Sequence, residues 1–268
     1  MTSSRSTEAP PPEFAEAVAG AAPRLGVFGR CIHYFPTIGS TNDAAADLAT
    51  SGAAEGTVVV ADAQTAGRGR RGRTWFSPAG AGLYISTILA PARASDATRA
   101  RMITTLAAGV AIVEGIAEAT GLRADLKWPN DLFVARRKLA GVLAEGVGDA
   151  VVLGYGINVG PAAYPPELSA RVTSLESELG RLVDRPRVFA ETLAALAARY
   201  DDLLAGRFDA ILDAWRALAP MSRGARVSWT TPAGLQTGIT AGIDSDGALL
   251  ARVADRLERI VAGEVTWL

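Results

Sequence analysis

The stretch TVVVADAQTAGRGRRGRTWFSPAGAG, residues 57–82, limits the choice of fold. Its β-branched first half predicts a strand. GRGRRGR, residues 67–73, then has the G-x-G-x-x-G spacing of a dinucleotide-binding turn, but that turn requires a helix directly after the glycines. Pro78 and two more glycines follow instead, so the sequence excludes a Rossmann fold. Two interpretations stay open: a loop that closes over a phosphate, or an arginine patch that binds RNA.

The composition is that of an ordinary globular protein. The chain has 268 residues, 49% of them hydrophobic, and a formal net charge of −1, so no basic excess attracts nucleic acid or an acidic membrane. Cys31 and His33 are the only residues of their types, which excludes a disulfide framework and His-based triads. We expect Cys31 to be buried. The longest apolar run, residues 105–117, contains Glu114, so we expect a cytoplasmic protein without a membrane span.

Periodicity predicts alternating strands and helices over most of the chain. We expect helices over 39–52, with Ser40, Thr41 or Asn42 as N-cap, and over 98–120, 187–206 and 208–219. Residues 82–89 alternate as a strand does, and four short apolar runs lie between 124 and 159. We therefore expect a large mixed domain.

The predicted domain limits follow changes in composition. Residues 1–24 are rich in Pro and Ala and suggest a mobile lead-in. Residues 25–220 form the predicted catalytic domain. From 221 to 268, turn signals between short alternating runs predict a separate β-barrel of about five strands.

Lysine is confined to one segment. Of 27 basic residues only Lys127 and Lys138 are Lys, and both lie in KWPNDLFVARRKLAGVLAE, residues 127–145. A turn at Asn130 and Asp131 would hold oxygen donors beside these ammonium groups, as Mg²⁺ and a triphosphate require. Gly141, and the glycines of GYGINVG (154–160), would let a ligand approach the backbone. The segment favours a nucleotide site, although a plain turn remains an alternative.

Six motifs together resemble those of biotin protein ligases. They are GSTN (39–42), QTAGRGRRGRTWFSP (64–78), GLYIS (82–86), KWPNDL (127–132), KLAGVLAE (138–145) and GYGINV (154–159), within a similarity that spans residues 32–268. The resemblance implies an α+β fold: a mixed β-sheet with flanking helices, like that of class II aminoacyl-tRNA synthetases, followed by a small SH3-like β-barrel. It also implies an ATP-dependent ligase that converts biotin into biotinyl-5′-AMP and transfers biotin to a lysine of a biotin carboxyl carrier protein domain.

The resemblance also implies the roles of individual residues. The biotin-binding set is Ser40, Thr41, Asn42, Gln64, Gly67, Arg68, Gly69, Arg70, Lys138, Gly141, Leu143 and Gly154. The ATP-binding set is Arg70, Arg73, Trp75, Lys127, Asn130, Asp131, Lys138 and Asn158. Lys138, between biotin's carboxylate and the α-phosphate, and Arg70 would be catalytic, and Asp131 would bind Mg²⁺.

Two departures from the family pattern carry further expectations. Too few residues precede GSTN for the DNA-binding module of many bacterial relatives, so we expect no DNA binding, and a monomer or weak homodimer. The last turn reads Ala-Gly-Glu where the family has a Gly-Gly-Glu-like turn, and Glu264 keeps the acidic position. The alternatives are a lipoate or octanoate ligase on a related fold and, from a different class, an RNA-binding protein without catalysis.

Overall fold

The computed structural model describes residues 8–162, 164–232, 234–261 and 263–268. The helices are α1 (Pro12–Ala21), α2 (Thr41–Thr50), α3 (Ala97–Thr120), α4 (Pro166–Ser169), α5 (Leu175–Leu179), α6 (Arg185–Leu204) and α7 (Phe208–Leu218). The first seven strands are β1 (Ile32–Ile38), β2 (Val58–Gln64), β3 (Gly82–Leu89), β4 (Asp125–Lys127), β5 (Asp131–Val134), β6 (Arg137–Val147) and β7 (Ala150–Asn158). The other five are β8 (Arg223–Thr231), β9 (Gly234–Ile243), β10 (Leu249–Val253), β11 (Arg256–Ile260) and β12 (Val265–Trp267).

Within these ranges the first seven strands form one mixed sheet in the order β1-β2-β3-β7-β6-β5-β4. Strands β1 and β2 are parallel, and helix α2 makes the crossover that a parallel pair requires. The other neighbouring strands are antiparallel. The helix–sheet arrangement confirms the predicted α+β class.

The sheet is covered differently on its two faces. Strand β2 shows this because Val58 and Val60 belong to the main core, whereas Val59 and Ala61 belong to a second, smaller core. The main core includes the buried side of α3 and α6, which contact each other. The smaller core lies under α2, whose Ala44 and Ala45 let the helix sit close to the sheet. Helix α2 contacts β2, β3, β6 and β7, so the β4–β5 side of this face is available for a site.

The last five strands form an antiparallel sheet in the order β11-β10-β9-β8-β12, which agrees with the predicted small C-terminal β domain. This domain is fixed to the larger one through the turn between β9 and β10. Trp128 Nε1 donates to the Gly247 carbonyl oxygen at 2.9 Å, and the Arg99 guanidinium donates to the Ser245 carbonyl oxygen at 2.8 Å. The segment that carries Trp128 is therefore braced by the C-terminal domain.

The prediction of a mobile lead-in is wrong for part of its range. Helix α1 (Pro12–Ala21) begins with the proline that favours a first helical turn, and its Phe14 is only 4% exposed. The Phe14 ring lies 5.6 Å from that of Phe189 on α6, so one aromatic side chain attaches the helix to the core. Residues 1–7 lie outside the described part. Cys31 also differs from expectation, because it is exposed.

Helix α3 has the length and apolar character of a membrane span. Among the described residues it is the one helix that meets this test, with a mean hydropathy of 1.5. However, 67% of its most apolar window is buried inside the fold. Its apolar surface is accounted for by packing, as in the central helix of a globular core.

Candidate active site

A cleft of about 820 Å³ opens over the face of the large sheet that α2 leaves free. Its walls are the start of α2, the arginine loop (residues 67–73), strands β5–β7 and the end of β12. The predicted site residues that line it are Ser40, Thr41, Asn42, Gln64, Arg68, Gly69, Arg70, Arg73, Trp75, Lys127, Asn130, Asp131, Lys138, Gly141, Leu143, Gly154 and Asn158. Gly67 lies behind this lining, where its carbonyl accepts a 2.9 Å hydrogen bond from the Trp75 amide.

One end of the cleft has a floor of connected polar side chains. Thr41 donates to Gln64 Oε1 from both its amide (2.8 Å) and its hydroxyl (3.1 Å). The buried Ser86 hydroxyl lies 2.8 Å from Thr41 Oγ1 and 2.6 Å from Asn42 Oδ1. Asn42 in turn donates from Nδ2 to Glu145 at 2.8 Å. We call Thr41, Asn42, Gln64 and Ser86 the polar floor.

Gly154 of β7 lies directly beneath this floor. It pairs with Ser86 of β3 on one side and with Leu143 of β6 on the other. A Cβ atom built at Gly154 would overlap Asn42 Oδ1. Only a residue without a side chain therefore lets Asn42 reach its position.

Three of the four arginines of the loop, Arg68, Arg70 and Arg73, contact different partners. Arg68 pairs with both Asp43 and Glu145, and Arg73 pairs with Glu264 next to β12. Arg70 donates to Asn130 Oδ1 at 3.0 Å, and burial lowers its pKa. The loop thus links α2, the β4–β5 turn and the C-terminal domain across the cleft. This arrangement differs from a continuous outward patch of free guanidiniums, which RNA binding would favour.

Trp75 lies on a floor of two glycines at the other end of the cleft. Gly141 and Gly156 are directly paired across β6 and β7. A Cβ atom at Gly141 would come within 3.2 Å of the Trp75 ring, and one at Gly156 would overlap its Nε1. The glycine pair therefore provides the flat surface against which the indole rests.

Both lysines of the chain meet at this end. Lys138 Nζ is 2.6 Å from Asp131 Oδ1 and 5.2 Å from the centroid of the Trp75 ring. Lys127 Nζ lies 5.0 Å from the Phe133 ring and 5.7 Å from the Trp267 ring. Burial lowers the pKa of Lys127, and the positive charges of Lys138 and Arg171 lower it further, against the opposing effect of Asp131. An anionic ligand would relieve this accumulation of cations.

The acidic groups allow only a limited metal site. No cluster of three His, Cys, Asp or Glu side chains is found within the described part of the chain. Asp131 offers one carboxylate, and the Asn130 side-chain oxygen already accepts from Arg70. This donor set fits Mg²⁺ that arrives with a nucleotide, since such ions keep most of their ligands from phosphates and water.

Sequence reasoning gave no role to Gly156 and Trp267, which line the cleft, or to Ser86 and Glu145, which contact the side chains of its polar floor. Ser86 and Thr87 are neighbouring polar residues in a mostly apolar strand, and Gly156 follows Gly154 by two, which places both glycines on one face of β7. These two signals are visible in the sequence. The other two have no such signal, because their contacts form only when the chain folds. Glu145 meets Asn42 across 103 residues of sequence, and Trp267 of the C-terminal domain meets Lys127.

Comparison with known proteins agrees with this architecture. The sequence model of the Biotin/lipoate A/B protein ligase family matches residues 34–161, and that of the Biotin protein ligase C terminal domain matches residues 224–266. The bifunctional ligase/repressor BirA of Bacillus subtilis is 37% identical over 246 residues, which cover 89% of this chain and 74% of that relative. The biotin–[acetyl-CoA-carboxylase] ligase of Mycobacterium tuberculosis is 36% identical over 236 residues, 86% of each chain.

A solved structure shows the same fold. The biotin protein ligase from Aquifex aeolicus, in complex with biotin and ATP, superimposes with a TM-score of 0.77 at 28% sequence identity, over 89% of this chain and 99% of that one. The fold is therefore that of a class of ligases that use ATP. The chain belongs to the biotin protein ligase family.

Proposed function

We propose that this protein activates biotin as biotinyl-5′-AMP and transfers the biotinyl group to a lysine of a biotin carboxyl carrier protein domain. The observation that carries the proposal is the division of one cleft into two ends. The polar floor suits an uncharged heterocycle, and the cations around Trp75 suit a nucleotide. Lys138 belongs to the Trp75 end, where its ammonium group would meet biotin's carboxylate and the α-phosphate of ATP.

The directions of the hydrogen bonds in the polar floor favour biotin. The Trp75 carbonyl can only accept, so the Ser77 hydroxyl donates to it (3.0 Å) and accepts from Gln64 Nε2 (2.9 Å). Gln64 Oε1 therefore faces Thr41 as an acceptor. The amide and hydroxyl of Thr41 and one N–H each of Gln64 and Asn42 then donate to neighbouring protein groups, and Asn42 Oδ1, which accepts from Ser86, keeps a second lone pair for a ligand. Biotin's ureido ring has two N–H donors, whereas the dithiolane of lipoate and the chain of octanoate have none.

In the first half-reaction, a carboxylate oxygen of biotin attacks the α-phosphorus of ATP. The bond from that phosphorus to the bridging oxygen breaks, and pyrophosphate leaves. Arg70, Lys127 and Lys138 would stabilise the negative charge on the transferred group, and Trp75 would stack near the adenine. Catalysis by charge and positioning requires no side-chain nucleophile. Mg²⁺, when bound to the phosphates and Asp131, would add positive charge.

In the second half-reaction, the uncharged amine of an acceptor lysine attacks the carbonyl carbon of the mixed anhydride. The bond from that carbon to the phosphate oxygen breaks and AMP leaves, while the new amide loses a proton. The relative from Mycobacterium tuberculosis is named for acetyl-CoA carboxylase, which supports a carboxylase carrier domain as acceptor. We place the reaction in the cytoplasm. The absence of DNA binding and the monomer or weak homodimer stay predictions.

Binding of ATP should be coupled to proton uptake through Lys127. Because the pKa of Lys127 is lowered, a fraction of the free protein molecules has an uncharged Lys127 amine at alkaline pH. Bound phosphates favour the ammonium form of this side chain. The Kd for ATP should therefore rise as pH increases through the pKa of free Lys127. Calorimetry in buffers of different ionisation enthalpy would measure the uptake. Arg stays protonated in this range, so Lys127→Arg should remove the alkaline limb; its persistence would assign the effect to another group.

Native mass spectrometry would test the proposed function. The protein is incubated with MgATP and an equal mixture of biotin, lipoate and octanoate, and the retained mass is read. Biotinyl-AMP is the expected product. Retained lipoyl-AMP or octanoyl-AMP would transfer the assignment to the alternative ligase activity. A folded protein that retains no adenylate would contradict the first half-reaction, and RNA binding would be tested next.

A further inference from the structure

We propose that Glu145 is a positioning residue that fixes Asn42 as a hydrogen-bond acceptor for the biotin ring and so contributes to the choice of ring. The inference rests on the proposed biotin activity and concerns the end of the cleft that is formed by the polar floor. Glu145 does not itself line the cleft. It acts through Asn42, one of the four residues of the polar floor.

The contacts of Glu145 determine which way the Asn42 amide points. Glu145 Oε2 is 2.8 Å from Asn42 Nδ2, and its other oxygen pairs with Arg68. A carboxylate accepts hydrogen bonds and does not donate them, so the NH₂ group of Asn42 must face Glu145. Asn42 Oδ1 then faces the floor, where the Ser86 hydroxyl approaches it at 2.6 Å.

Asn42 is the member of the floor that this contact controls most strongly. A half-turn about its last torsion exchanges oxygen for nitrogen with almost no change of shape. Burial leaves the residue 4% exposed, so bulk water contributes little to the choice between the two orientations. Without Glu145, the NH₂ group gains access to the Ser86 side, where the hydroxyl can accept from it.

The two orientations favour different ligands. With oxygen towards the cleft, the second lone pair of Oδ1 can accept from a ureido N–H. With nitrogen towards the cleft, a donor faces a donor and that hydrogen bond is lost. The orientation of the Gln64 amide is fixed by Ser77 and the Trp75 carbonyl. Glu145 fixes the orientation of the second amide of the floor, that of Asn42.

Three variants show whether Glu145 acts by accepting a hydrogen bond from Asn42 or by its negative charge. Glu145→Ala should raise the Kd for biotin about tenfold, the loss of roughly one hydrogen bond, while the KM for ATP stays within about twofold of wild type. Glu145→Gln keeps an oxygen that can accept from Asn42 and should stay within about threefold of wild type. Asp43→Asn removes the other, exposed partner of Arg68 and is the matched control for the loop contact.

Rescue provides the decisive measurement. Asn42→Asp in the Glu145→Ala background places oxygens on both sides of residue 42, so its orientation no longer matters, and biotin affinity should return. In the Glu145 background the same change sets two carboxylates together and should weaken binding. Failure of the double variant to recover, or a Kd change in Asp43→Asn equal to that in Glu145→Ala, would overturn the proposal. A folded wild type that does not bind biotin would instead refute the proposed function.

Discussion

Replacing Lys138 by Ala should lower the rate of adenylate formation by at least about 10³-fold, at the upper end of what a single charge-stabilising group supplies. Its Nζ lies between Asp131 (2.6 Å) and the Trp75 ring (5.2 Å), inside the cleft. In the proposed reaction it would stabilise the charge that develops on the α-phosphate. Pyrophosphate release, followed in a single turnover with excess enzyme, measures this step directly.

The controls for this variant test the effect of leaving the Asp131 carboxylate without its partner. Lys138→Ala leaves Asp131 without its cation, so the double variant Lys138→Ala/Asp131→Asn removes that charge as well. Both should have the wild-type unfolding transition within a few degrees, and neither should form the adenylate. Lys138→Arg restores charge but not its shape, and should recover only part of the rate. Normal adenylate formation by Lys138→Ala would remove this residue from the mechanism.

Gly154→Ala should raise the Kd for biotin about 100-fold, which corresponds to two lost hydrogen bonds in a buried site. The added Cβ would overlap Asn42 Oδ1, and Asn42 is held by Ser86 and Glu145 and has little room to retreat. Displacing it disturbs the floor where the ureido ring would bind. Calorimetric titration with biotin, in the absence of ATP, isolates this effect from the nucleotide end.

Gly146→Ala is the matched control for this change. Gly146 lies on the adjacent strand β6, and no atom lies within 4 Å of a Cβ built there. The same substitution should therefore leave biotin binding unchanged. Equal losses in both variants would point to a general effect on the sheet, and wild-type binding by Gly154→Ala would show that the floor tolerates the displacement.

Local sequence signals predicted most of the elements that carry this site. Strand β3 matches the predicted residues 82–89, and α3 and α7 differ from prediction by one residue at an end. A clear apolar stripe explains the agreement for α7, and the left-handed Gly121 that ends the helix explains it for α3. Helix α1 was missed because its one large aromatic side chain, Phe14, is a weak periodic signal, and its partner Phe189 lies far along the chain.

The residues gathered in the cleft were predictable as a set, but their contacts were not. The clustered lysines mark the nucleotide end in the sequence. Gly141 was predicted to bind biotin and Gly156 had no predicted role, whereas in the fold the two are paired beneath Trp75. The partners of Arg68 and Arg73 are acidic residues 25, 77 and 191 positions away. Such pairings depend on how the strands are ordered, and the spacing of residues within a motif contains no information about them.

The positions of the tryptophans allow ligand binding to be followed by the intrinsic fluorescence of the protein. Of its five tryptophans, Trp75, Trp128 and Trp267 line the cleft, whereas Trp215 and Trp229 are buried in the cores of the two domains. Trp128 is buried as well, so the emission spectrum combines two half-buried indoles that a ligand can reach, those of Trp75 and Trp267, with three that provide a steady background. Occupancy of the cleft can be followed by intrinsic fluorescence on unlabelled protein, and single Trp→Phe variants can assign the change to one wall of the cleft.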